Sequence, residues 1–135
     1  MKQAQAKILW NRPKGPSYFS MGLACDGYAE AVPGQFVMLR VSRQHAPLLR
    51  RPFSIHRPVM EGGRCVGIEL LYKVVGKGTQ LLSCAREGEA LDILGPIGNG
   101  FRFSDALDRI YLVGGGIRIS APAFRRVPGY CGFQA

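Results

Sequence analysis

Arg50-Arg51-Pro52-Phe53-Ser54-Ile55-His56 and, further along, Tyr72-Lys73-Val74-Val75-Gly76-Lys77-Gly78-Thr79 are the two stretches on which the reading of this chain turns. The first sets a cation, a stiff proline, an aromatic ring and a hydroxyl side by side in an extended segment closed off by Pro58 and Gly62-Gly63. The second runs from an apolar strand into a glycine turn and then into a helix, expected over Thr79–Ala85 with Thr79 near its N-cap. A glycine turn opening a helix gathers unpaired backbone N–H groups at the positive end of the helix dipole, an arrangement suited to a phosphate.

Outward from these stretches the chain reads as short strands between breakers. Ala6 to Asn11 and Ser17 to Ala24 are strands separated by the turn Arg12-Pro13-Lys14-Gly15-Pro16. After a turn at Ala31-Val32-Pro33-Gly34, Gln35 to Val41 alternates, with Phe36, Met38 and Arg40 on one side and Val37, Leu39 and Val41 on the other. Val66 to Val75 is the longest apolar strand, Ala90 to Leu94 another, and Gly95-Pro96-Ile97-Gly98-Asn99-Gly100 a glycine loop. Arg109 to Val113 is a last short strand entering Gly114-Gly115-Gly116, the way a nucleotide-binding α/β unit opens. Short strands at regular spacing with one small helix predict an all-β, closed or nearly closed antiparallel barrel.

Bulk properties narrow the classes. A chain of 135 residues, 47% hydrophobic and 20% charged, is one ordinary globular domain by length and composition. No run reaches the ~18 apolar residues of a membrane span, and the N-terminal stretch lacks the apolar core of a secretory signal, so the expected location is the cytoplasm. Cys25, Cys65, Cys84 and Cys131 are scattered, which suits reduced core residues and offers no clustered thiolates for a metal or an iron–sulfur site. The net charge is +9, concentrated in residues 1–57, where nine basic side chains face only Asp26 and Glu30, a balance of +7. That excess suits a polyanion, whether nucleic acid, a phosphate-bearing cofactor or an acidic protein.

The two opening stretches together read as a two-part grip on a flavin dinucleotide, which carries a pyrophosphate, a ribityl chain and a large flat ring. Arg51 offers a bidentate, charge-assisted contact to phosphate. Pro52 stiffens the approach, Phe53 adds apolar surface, and Ser54 offers a hydroxyl or N–H to the ring edge. The same residues also suit an edge strand with solvent-facing arginines, and glycines occur at many strand-to-helix turns merely because φ is positive there. His56 and His45 fit no hydrolytic pairing, and no catalytic or metal-binding residue is assigned. A basic β-barrel for single-stranded nucleic acid is the competing class, disfavoured because the aromatics are not interleaved with the cations as stacking platforms.

Four motifs in order, Arg51-Pro52-Phe53-Ser54-Ile55, Tyr72 to Thr79, Leu94-Gly95-Pro96-Ile97-Gly98-Asn99-Gly100-Phe101 and Val113-Gly114-Gly115-Gly116-Ile117, resemble the ferredoxin reductase-like flavoproteins. Pro33-Gly34-Gln35-Phe36-Val37-Met38-Leu39 shares that look, and within the group the chain looks most like the electron-transfer subunits of NAD-linked dihydroorotate dehydrogenases; sulfide dehydrogenase and NADPH:ferredoxin oxidoreductase types share the pattern. The resemblance implies a six-stranded Greek-key barrel with one short helix, binding FAD over residues 1–105. It implies that Arg51, Pro52, Phe53 and Ser54 contact the flavin and its phosphates, that Leu71, Tyr72 and Lys73 line it, and that Gly78 and Thr79 cap the pyrophosphate. It further implies electron passage from NADH through FAD and an iron–sulfur cluster to an FMN-containing dehydrogenase subunit of pyrimidine synthesis.

The chain departs from that family after the triple glycine. Where relatives read Gly-Gly-Gly-Ile-Gly-Ile-Ala-Pro, this sequence has Arg118 in place of the second glycine step and one more residue before Pro122. Residues 106–122 are therefore expected to be the vestigial opening of an NAD-binding α/β domain, and 123–135 an unrelated tail. The family's 2Fe-2S cysteine segment and its NAD site are expected to be absent, which makes a truncated or frame-shifted member, or an inactive remnant, a further expectation.

Overall fold

Strand alternation decides what lies inside. In the computed structural model, residues 1–28, 30–41, 49–101 and Ile117 are described. They form β1 (Lys2–Gly15), β2 (Tyr18–Ala24), β3 (Phe36–Arg40), β4 (Arg51–Glu61), β5 (Arg64–Lys73), α1 (Lys77–Ser83) and β6 (Ala90–Ile97). Every second residue turns inward: Ala6 and Ile8, Met21 and Leu23, Val37 and Leu39, Phe53 and Ile55, Ile68, Leu70 and Tyr72, Leu91 and Ile93 are all buried. Leu82 of α1 is fully enclosed in the same core cluster. A fully buried side chain of this size contributes about 1.5–3 kcal/mol.

All pairings are antiparallel, and the sheet closes on itself in the order β1-β2-β5-β4-β3-β6. β3, β4 and β5 follow one another, and β6 returns after α1 to lie beside β3, which is the Greek-key order. The expected six-stranded all-β barrel with a single short helix is what the described residues form. The expected strand at Arg109–Val113, the triple-glycine turn and the tail lie outside the described residues.

Several boundaries differ from the sequence expectation. β1 runs through Arg12 and Pro13, which pair with Ser20 and Phe19, so the hairpin turn is confined to Pro16-Ser17. Beyond Lys7, β2 is the only described strand beside β1, and a strand with one open side tolerates a proline. β4 likewise continues through Pro58, which pairs with Ile68, because β3 accompanies it only as far as Ser54. β6 extends to Ile97 across a cis Gly95–Pro96 bond, pairing Gly95 with Lys2 and Ile97 with Phe36. α1 begins two residues before Thr79, with Gly76 as its N-cap. Of the cysteines, Cys25 is buried and Cys65 half-buried, but Cys84 at the helix C-cap is exposed, which corrects its assignment to the core; all three are free thiols. Among the described residues no helix is long and apolar enough to cross a membrane.

Candidate binding site

Arg51 opens β4 opposite Leu39 of β3, at the barrel end from which α1 starts. A Cβ placed on Gly78 would lie 3.4 Å from Arg51 Nε and 3.6 Å from Val41 Cγ2. The two motifs read separately in the sequence therefore touch, with the helix backbone packed directly on the arginine. Arg51 Nη1 donates to the carbonyls of Leu49 at 3.0 Å and Arg50 at 3.5 Å, whereas Nε and Nη2 make no hydrogen bond to a described residue. Its neighbour Arg50 is spent on Asp92: Nη2 pairs with Oδ2 at 2.8 Å and Nη1 donates to the Asp92 carbonyl at 3.2 Å. Gln3 Nε2 completes that cluster, 3.2 Å from each Asp92 carboxylate oxygen. Among the described residues, one arginine of the pair is bound to a carboxylate and the other is not.

The remaining predicted site residues divide by strand parity. Pro52 and Ser54 stand exposed on the outer face of β4, opposite Met38 and Phe36 of β3. Ser54 Oγ makes no hydrogen bond to a described residue. Leu71 (half-buried) and Lys73 (exposed) alternate with inward-facing Tyr72 on β5, and Lys73 Nζ sits 5.4 Å from the centre of the Tyr18 ring, a cation–π distance. Phe53 and Tyr72 instead turn into the barrel, their rings meeting edge to face at 5.9 Å, with Phe19 stacked on Tyr72 at 5.5 Å. Burial pushes the Tyr72 phenol up to about 12.

Thr79 has a different local role from the one its position suggests. Its hydroxyl accepts from the N–H groups of Val75 at 2.9 Å and Gly76 at 3.2 Å, and donates to the Gly76 carbonyl at 3.0 Å. The side chain closes the turn. What the corner leaves for an anion is the backbone N–H set of the first helical turn, beside Arg51. Sequence reading missed Asp92 and Asn11, the two side chains that hold this end of the barrel together; no local pattern marks an asparagine or an aspartate inside a strand. Among the described residues no group of three His, Cys, Asp or Glu could hold a metal ion.

No family model matches the chain. It is 41% identical over 122 residues to the dihydroorotate dehydrogenase B (NAD(+)) electron transfer subunit of Geobacillus sp. (strain WCH70), covering 88% of this chain and 46% of that protein. Among solved structures it matches the NADH-dependent reduced ferredoxin-NADP oxidoreductase of flavin-based electron bifurcation, at TM-score 0.62 and 27% identity, over 73% of this chain and 34% of that one. It also matches the ferredoxin NADP+ reductase of Neisseria gonorrhoeae with bound FAD and NADP, at TM-score 0.59 and 17% identity, over 75% of this chain and 39% of that one. Closed Greek-key order and these superpositions together define the barrel as that of the ferredoxin reductase-like oxidoreductases. Within that class the chain is a homologue of the electron-transfer subunits of dihydroorotate dehydrogenase B. It spans about half the length of the curated relatives it matches, 46% in the case above.

Proposed function

We propose that this barrel holds FAD and serves as the flavin-binding part of an electron-transfer subunit, passing electrons between NADH and a partner dehydrogenase that interconverts dihydroorotate and orotate. The observation that carries the reading is the contact of Arg51 with Gly78, which unites an arginine bound to no carboxylate among the described residues with the first turn of a helix at one corner. The residues fit the group. Arg51 and the first-turn N–H groups of α1, including Gly78 and Thr79, suit the pyrophosphate. Pro52, Ser54, Leu71 and Lys73 form an outer strip, apolar with a hydroxyl and a cation, that suits the flat ring system and its polar edge. Phe53 and Tyr72 back that wall from inside. FAD supplies the redox chemistry when bound; the protein's part is to orient it and exclude water from one face.

In this reading the partner is an FMN-containing catalytic subunit, and residues 106–122 belong to the opening of a nucleotide-binding unit that follows the barrel domain of residues 1–105. The first test is the visible absorption spectrum of the purified chain, with the released cofactor identified by mass. Two flavin bands and FAD on release are expected; a colourless protein that refuses added FAD overturns the reading. Arg51→Ala is expected to weaken FAD affinity by roughly 1.5–3 kcal/mol, the worth of a charge-assisted hydrogen bond, as measured by flavin fluorescence titration. Unchanged affinity removes Arg51 from the site.

A further inference from the structure

Asn11 sits in β1, and one predicted site residue, Tyr72, is among its hydrogen-bond partners. Its Nδ2 donates to the carbonyls of Leu82 at 2.9 Å, Ala85 at 2.9 Å and, more weakly, Ser83 at 3.4 Å. Those are carbonyls at and just beyond the C-terminus of α1, where the i→i+4 ladder ends; the Leu82 carbonyl also accepts from the Ala85 N–H at 3.1 Å. The Tyr72 hydroxyl donates to Asn11 Oδ1 at 2.9 Å. The amide has only one workable orientation: three carbonyls can only accept, so the NH2 must face them, and the hydroxyl proton then finds the oxygen. Asn11 thus ties β1 to β5 and to the end of α1, through partners 61 to 74 residues further along the chain.

We infer that Asn11, oriented by Tyr72, is a positioning residue for Arg51: it clamps the far end of α1 so that Gly78 at the near end stays packed on the arginine. The inference rests on the reading of Arg51 as the phosphate-gripping side chain. α1 has seven residues, too few to be stable by helix propensity alone. It is held by the burial of Leu82, by the Thr79 turn and by Asn11. Leu82 sets its depth in the core, with Val74 and Ala85 packed on the same cluster at either side, but apolar packing is non-directional and leaves rotation and sliding unfixed. Directional bonds from Asn11 fix both, and so fix where Gly78 meets Arg51. Tyr72, read in the sequence as lining the cofactor, acts on this account through its hydroxyl from inside the barrel.

The test uses the full chain in four forms, wild type, Asn11→Asp, Tyr72→Phe and Arg51→Ala, with amide hydrogen exchange and FAD titration as readouts. Asn11→Asp keeps the shape but sets a carboxylate against three carbonyls; Tyr72→Phe removes only the orienting proton and serves should the first variant fold poorly. Exchange of the α1 amides is expected to rise while β2 and β5 amides keep their protection, and FAD affinity to fall about tenfold in Asn11→Asp and less in Tyr72→Phe. A merely structural residue lowers protection everywhere. If Asn11 works through Arg51, the double variant Asn11→Asp/Arg51→Ala loses no more affinity than Arg51→Ala alone. Additive losses, or normal FAD affinity in both Asn11→Asp and Tyr72→Phe, overturn the inference while leaving the cofactor reading intact. A wild-type chain that takes up no FAD overturns both.

Discussion

Glu69 lies on the outer face of β5, yet it is only 4% exposed. Its Oε1 accepts from Ser20 Oγ at 2.6 Å, and Trp10 Nε1 donates to the same Ser20 oxygen at 2.9 Å. Its Oε2 is paired with Arg57 Nε. The two partners are unequal. Ser20 is 1% exposed and cannot turn to water, whereas the Arg57 side chain is 62% exposed and can. Glu69→Ala therefore leaves a buried hydroxyl proton unpaired and is expected to cost roughly 1–3 kcal/mol. Arg57→Ala removes a largely solvated partner, and water taking its place at the Glu69 carboxylate is expected to make this loss the smaller of the two. Urea unfolding of the two variants checks the order; equal losses refute the argument. None of this network was legible beforehand, because Trp10, Ser20, Arg57 and Glu69 meet only through strand register.

At the scale of elements, the β4–β5 hairpin shows local sequence in control. Gly62 and Gly63 have φ of 54° and 78°, and Glu61 pairs with Arg64 across them. A two-residue turn with both central φ positive matches the twist of the strands it joins. Gly63→Ala is expected to cost about 1–2 kcal/mol through left-handed strain, read as a lower urea midpoint, whereas Gly62→Asn is expected to be nearly neutral. The alternation of Val37, Leu39 and Val41 was equally legible, and all three are buried as the period of two requires. The limits of β1, β4 and β6 were not. Prolines and glycines signal breaks, but Pro13, Pro58 and Pro96 sit inside strands because the neighbouring strand is missing on one side or the chain bends without leaving the ladder.

For the whole molecule, burial sets an alkaline limit on stability. Desolvation pushes Cys25 up to about 12 from 9.0, and Tyr28 and Tyr72 up to about 12 from 10.0. Each is neutral when protonated, and its folded value is the higher one. The unfolded chain therefore loses these protons first as the pH climbs. Their contribution is fully present below about pH 9, declines from there and is gone once the pH passes about 12. The urea midpoint is expected to hold steady from pH 7 to 9 as far as these groups are concerned and to fall between 9 and 12. Cys25→Ala is expected to flatten the start of that decline. A midpoint that rises over the same range contradicts the assignment.

The residues on which the proposed phosphate grip rests, Arg51 to Ser54 and Gly76 to Thr79, are local in sequence, because cations, prolines and glycine turns carry their chemistry with them. Inward and outward faces were legible for the same reason: alternation is a property of the strand alone. Closure of the barrel decided the rest. Only register brings Gly78 onto Arg51 and sends Arg50 to Asp92. Only the enclosed barrel end turns Tyr72 toward Asn11. These are contacts between segments distant along the chain, and no window of sequence contains both partners.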